Sequence, residues 1–200
     1  MNNYNEYSEL FNEYAKESFE NPDNVVAYEN IICALEEAAF YNGRVFLAGM
    51  GGSAANAQHM ANDLRKMCQI DAYSLTDNVA EMTARINDDG WAGFMADSMN
   101  VSHFGKFDVL FILSVSGASP RKAASLPLIH AMNYALEKPE TTCVGIVGME
   151  DSYAAQNFKR TMFVTPTVEK YHTQFAEAMQ GVVWHGIISD PRIMKRKAKW

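Results

Sequence analysis

Short apolar runs that end at glycine or serine and hand over to helix-patterned sequence limit what this chain can fold into. The clearest is Val45-Phe46-Leu47-Ala48, which follows Asn42-Gly43 and is bounded on its far side by glycines. A continuous run of this kind predicts a strand buried on both faces that feeds a loop, and then a helix from about Ser53 to Met67. Ile70 to Ser74, Val109 to Leu113, Cys143 to Val147 and Met162 to Val164 are further strand candidates, separated by material able to form helices. Parallel neighbours need crossover connections, so the pattern predicts a three-layer α/β/α sandwich with a mostly parallel sheet. Ahead of it, helical spacing at Val25, Tyr28, Ile31, Leu35 and Ala38 predicts two helices between Tyr4 and about Phe40, broken near Asn21-Pro22-Asp23. A last long helix, from about Gln174 to Ile188, should stop before Asp190-Pro191. The expected division is a single domain over 1–191, with helices in 1–42 and the α/β core in 43–191, followed by a basic tail at 192–200.

With 200 residues, 48% of them hydrophobic, the chain can bury one substantial core. It has neither a leader pattern nor a run of eighteen apolar residues, so the expectation is a cytoplasmic protein with no membrane partner. Cys33, Cys68 and Cys143 are widely spaced and form no C-x-x-C pair, which predicts buried thiols rather than disulfides or a cysteine metal site. A formal charge of −7 argues against a nucleic-acid partner. The Lys195-Arg196-Lys197-Ala198-Lys199 run is expected to be a solvated, frayed end.

Ligands of open α/β sheets sit beyond the carboxyl ends of strands, which directs attention to two loops. Gly49-Met50-Gly51-Gly52-Ser53-Ala54-Ala55 is a strand-to-helix turn whose glycines let backbone N–H groups approach an anion, with Ser53 the expected N-cap. Ser114-Val115-Ser116-Gly117-Ala118-Ser119-Pro120 offers three hydroxyls, with Pro120 placed for a helix's first turn. Neither loop contains lysine, so a nucleotide-type P-loop is excluded while a phosphate held by hydroxyls and amides is not.

Two spacings suit a metal. His59 and Asp63 stand i, i+4 on the helix after the first loop, on one face and about one turn apart; alone, this is an ordinary helix pair. Glu177 and His185 lie about two turns apart on the last helix with side chains roughly 80° apart, so both can converge on one centre. Two histidines and two carboxylates suit zinc or a similar divalent ion.

The stretch from Gly49 to His59, GMGGSAANAQH, resembles the G-N-G-G-S-A-A-D-A-Q-H segment of the sugar-isomerase (SIS) fold in its phosphoheptose isomerase branch. Asn87-Asp88-Asp89-Gly90 is similar to that branch's N-D-x-G, Ser114 to Ser119 to its S-T-S-G-N-S loop, and Glu177 to His185 to its C-terminal Gln-and-His helix. The likeness spans roughly Arg44 to Pro191. It implies a five-stranded parallel sheet, an N-terminal helical pair used in assembly, and a homotetramer with sites at subunit interfaces. It also implies a zinc ion on His59, Asp63, Glu177 and His185. The family's Asn in the first loop is Met50 here, its serine-loop Thr and Asn are Val115 and Ala118, and the Asn expected after that loop is Arg121. Its metal-site Glu is Asp63 and its Gln is Glu177.

Ketose-to-aldose conversion needs a base, an acid and a group that stabilises an oxyanion. The expected roles are Asp63 as base, His185 as acid and Glu177 as reserve base. Gly51, Gly52, Ser53, Ser114, Ser116 and Ser119 would hold a small-molecule sugar phosphate, joined by Arg121, with Asn87 and Asp88 reading sugar hydroxyls. The reaction implied is sedoheptulose 7-phosphate to D-glycero-D-manno-heptose 7-phosphate. Two alternatives stay open: another sugar phosphate on the same fold, prompted by Met50, Val115 and Ala118, and a non-catalytic sugar-phosphate-binding module, prompted by Asp63 and Glu177. His103, His130 and His172 match no motif and are expected to be surface or packing residues.

Overall fold

The structure, a computed structural model, describes residues 3–120 and 125–197. Five parallel strands, β1 (Arg44–Gly49), β2 (Asp71–Ser74), β3 (Val109–Ser114), β4 (Thr142–Val147) and β5 (Met162–Val164), form one sheet in the order β2-β1-β3-β4-β5. The helices are α1 (Asn3–Glu20), α2 (Pro22–Tyr41), α3 (Gly52–Asp63), α4 (Val79–Asp88), α5 (Phe94–Val101), α6 (Leu126–Leu136), α7 (Tyr153–Asn157) and α8 (His172–Ile188). A π-helical turn, Leu64–Cys68, continues α3.

Side chains alternate across the sheet and divide the core in two. Val45, Leu47, Phe111 and Ile146 face the layer built from α1, α2, α3 and α8, whereas Phe46, Ala48, Leu110 and Ile112 face α5 and α6, with α4 and α7 beside them. Both faces are covered, which is why the strands read as unbroken apolar runs. Asn21 starts α2 by accepting the Asp23 N–H, with Pro22 in the first turn, and Asn42 ends it in the left-handed conformation. Asn24 protects the edge of β5: its side chain accepts the Val164 N–H and donates to the Val164 carbonyl, both at 2.8 Å.

Chain direction around the sheet reverses at β1, from which β2 lies to one side and β3 to the other. Loops leaving β1 and β3 therefore diverge and open a crevice between them. The glycine loop and the serine loop are those two loops.

Three expectations need correction. The segment after α8 is docked over 192–196: Ile193 is buried, Arg192 pairs with Glu29 and Asp190, and the N–H groups of Lys195 and Arg196 reach the Met67 carbonyl. Residues 198–200 lie outside the described part. Cys33 is exposed on α2, while Cys68 and Cys143 are buried free thiols. Pro120 itself sits in a turn, and the first helix described after it opens at Leu126 with Pro127 in its first turn.

Candidate active site

Gly51 turns the chain from β1 into α3 with φ +61°, a left-handed conformation that glycine adopts without strain. It also occupies the N-cap position, with no side-chain cap; Ser53, the expected cap, lies inside the first turn. Without a capping oxygen, the first N–H groups of α3 keep their positive end available to an anion. Ser53 is 1% exposed, and its hydroxyl has no hydrogen-bonding partner among the described residues. Gly52 is bare for a reason of space: a Cβ there would stand 2.4–2.6 Å from the carboxylate atoms of Glu177. The Glu177 carboxylate thus lies directly over the glycine loop.

Beyond β3, Ser114 is buried and its hydroxyl accepts the Gly117 N–H at 3.0 Å, so it shapes the loop from within. Gly117 and Ala118 are consecutive left-handed residues, with φ +57° and +65°. The N-terminal turn of α7 holds them, through Ala154 N–H to the Gly117 carbonyl and Tyr153 N–H to the Ala118 carbonyl. Ser116 and Ser119 are half-buried, and no described residue engages their hydroxyls. Arg121 lies outside the described residues.

On the sheet face that carries the glycine loop, α3 and α8 run side by side and bring His59, Asp63 and His185 together. One ligand atom from each lies within 4.8 Å of the others. Metal–nitrogen and metal–oxygen bonds near 2.1 Å place tetrahedral neighbours about 3.4 Å apart, and His59 Nε2 is already 3.6 Å from Asp63 Oδ2. His185 Nδ1 is 2.7 Å from the Gly181 carbonyl oxygen, which can only accept. The ring proton therefore sits on Nδ1, leaving the Nε2 lone pair for a ligand. Two neutral imidazoles and a carboxylate fit a divalent ion such as zinc. Glu177 stands apart from this cluster. Eight residues of α8 rise about 12 Å, and because the helices lie alongside each other that rise carries Glu177 back to the start of α3 while His185 meets its end.

Asn87 and Asp88 end α4, exposed and hydrogen-bonded to each other at 2.7 Å. That helix packs Met82 and Ile86 on the opposite sheet face, so one chain does not gather them with the cluster. His103 and His130 are exposed. His172, at the start of α8, has both ring nitrogens buried, with no close hydrogen-bond partner among the described residues. It lies close beside Gly148 at the end of β4, and burial pushes its pKa below the usual histidine value, against a smaller opposing effect of the Val115 carbonyl. A groove of about 1040 Å³ lies around Thr142 and Thr161 at the amino ends of β4 and β5, away from all these groups.

Sequence reasoning missed Asn56 and Trp184. Asn56 Nδ2 donates to the Glu177 carbonyl at 3.0 Å, its Oδ1 accepts the Trp184 indole N–H at 3.2 Å, and the indole stacks on His185. Asn56 sits within the quoted GMGGSAANAQH stretch and Trp184 immediately precedes His185, but neither position advertises the contact.

No protein-family model matches the chain. It is 32% identical to the phosphoheptose isomerase of Burkholderia pseudomallei over 155 residues, covering 72% of this chain and 74% of that protein. With the phosphoheptose isomerase of Sulfurimonas denitrificans it shares 30% identity over 195 residues, covering 89% and 95%. The solved structure of a phosphoheptose isomerase from Francisella tularensis superposes with a TM-score of 0.75 at 21% identity, over 94% of this chain and 96% of that one. Shared length, shared motifs and a shared parallel sheet lead to one conclusion: the chain belongs to the phosphoheptose isomerase family.

Proposed function

We propose that this isomerase converts sedoheptulose 7-phosphate to D-glycero-D-manno-heptose 7-phosphate, in the cytoplasm and as a homotetramer. The observation that carries the reading is the meeting of His59, Asp63 and His185 beside a glycine loop at the point where strand order reverses. Those three residues would hold a divalent ion, zinc by the chemistry of the donors, with Glu177 as a fourth ligand if its carboxylate swings away from Gly52. When bound, such an ion polarises the substrate's carbonyl oxygen.

The chain's own groups supply the rest. Asp63 removes a proton from C1 of the ketose while His185 delivers one to the C2 carbonyl oxygen, giving the enediol; a proton exchanged with solvent on Asp63 then adds to C2 as the C1 hydroxyl returns its proton to His185, giving the aldose. Its Nδ1 contact to Gly181 fixes the tautomer that His185 presents. Glu177, over Gly52, is the reserve base. The phosphate is anchored by the N–H groups of Gly51, Gly52 and Ser53 and by the hydroxyls of Ser116 and Ser119, with Ser114 keeping the loop in shape. Binding energy from the distant phosphate then holds C1 and C2 in position. Asn87 and Asp88 reach the sugar hydroxyls from a neighbouring protomer, and Arg121 adds a charged contact.

Metal-loaded protein incubated with sedoheptulose 7-phosphate should form aldose, and chelation should abolish it. Measurable binding without product would refute the reaction for this substrate. One observation favours a different sugar phosphate on the same site: Met50 packs into the apolar core where the family has Asn, removing a polar reader of the sugar.

A further inference from the structure

Trp184 touches both imidazoles of the cluster, yet the proton transfers make no use of it. The fully buried indole stacks on His185 with ring centroids 3.6 Å apart and meets His59 edge-on at 4.8 Å. Its N–H is held by Asn56 Oδ1, and Asn56 Nδ2 donates in turn to the Glu177 carbonyl at 3.0 Å and to Gln180 Oε1 at 3.3 Å. One amide side chain on α3 thus ties down three positions along α8, Glu177, Gln180 and Trp184, the last one residue short of His185.

We propose that Asn56 and Trp184 are positioning residues that hold the His59 and His185 rings, now at 85° to each other, as a preformed pair for a divalent cation. The inference rests on the reading that the cluster takes such an ion. Physically, His185 is exposed on its helix and would sample several rotamers; the Gly181 carbonyl restrains one edge of the ring and the indole covers one face. His59, with 57% of its side chain exposed, is restrained by Asp63 on one side and by the indole on another. A ligand pair ordered in advance loses less side-chain freedom when the ion arrives. Loss of such an outer support typically weakens metal affinity by about 10–100-fold.

The test is a cobalt(II) titration of the metal-stripped full chain, read by the visible ligand-field absorption of the bound ion. Asn56→Ala and Trp184→Leu should each raise the cobalt dissociation constant by about 10-fold or more and alter the absorption bands. Trp184→Phe, which keeps an aromatic face but loses the N–H that Asn56 holds, should weaken binding less than Trp184→Leu does. Met179→Ala removes a fully buried α8 side chain six residues before His185 and should leave cobalt binding unchanged. Should Trp184→Leu fail to fold, Asn56→Ala decides. Wild-type affinity and spectrum in the folded Asn56→Ala variant would overturn the positioning role, as would equal weakening by Met179→Ala. If the wild-type chain binds no cobalt at all, the metal reading itself falls and the positioning role with it.

Discussion

Substituting alanine for Gly52 should separate the site's chemistry from the fold's stability. The added Cβ would lie 2.4–2.6 Å from the Glu177 carboxylate, against the roughly 3.5 Å of an ordinary contact, so the carboxylate must retreat by about 1 Å. Glu177 ends in a rotatable carboxylate, and moving it off its preferred rotamer costs on the order of 0.5–1.5 kcal/mol. Alanine in place of glycine in a helix returns up to about 1 kcal/mol. The two nearly cancel, and Gly52, unlike Gly51, does not need a positive φ. Gly52→Ala should therefore melt within about 2–4 °C of the wild type, while a methyl group and a displaced carboxylate beside the phosphate-binding N–H groups misplace the substrate by about 1 Å and lower kcat/KM by about 100-fold. Gly49→Ala makes the contrast: its Cβ would meet the Ser53 carbonyl oxygen at 2.4 Å, and backbone at the start of α3 cannot swing aside. That variant should lose the fold. Thermal melts and steady-state kinetics on the same Gly52→Ala preparation check the reasoning. Unchanged kcat/KM, or a melting point lowered by about 10 °C or more, would refute it.

Asn24→Ala removes both bonds that shield the edge of β5 and leaves the Val164 backbone unpaired; chemical denaturation should show a loss of about 2–3 kcal/mol. Asp63→Asn should fold normally and lower kcat by about 100-fold or more, measured on metal-loaded protein. His172 carries a pKa depressed by burial, so on acidification the unfolded chain takes up the proton first. Its contribution is full above the ordinary value of 6.5 and is lost as pH falls through the lower folded value. Melting curves of the wild type should thus fall more steeply below about pH 6.5 than those of His172→Gln, and parallel curves would contradict this.

Much of this architecture is legible in the chain because buried parallel strands must be apolar on both faces. Val45 to Ala48 and Val109 to Leu113 announce β1 and β3 to within a residue at each end, and the Asn21-Pro22-Asp23 break marks the join of α1 and α2. Local chemistry was a poorer guide at helix ends. Ser53 has the right side chain for a cap, but the positive-φ turn at Gly51 puts the cap two residues earlier, and the Ser53 hydroxyl is buried. Of the metal residues, His59 and Asp63 were readable from i, i+4 spacing, since a helix fixes that geometry by itself. Angular reasoning also put Glu177 and His185 on one face of α8, but it ignores the rise along the axis that sends Glu177 to Gly52. The partnership of Asn56, Trp184 and the two imidazoles depends on how α3 crosses α8, which packing of the whole core decides.

Proton transfer by the α3 and α8 residues leaves a direct isotopic trace. Metal-loaded enzyme turning over sedoheptulose 7-phosphate in D2O, followed by NMR, should yield aldose carrying deuterium at C2, and Asp63→Asn should suppress that incorporation. Aldose formed with its original hydrogen retained throughout, or no product from folded, metal-loaded protein, would contradict it.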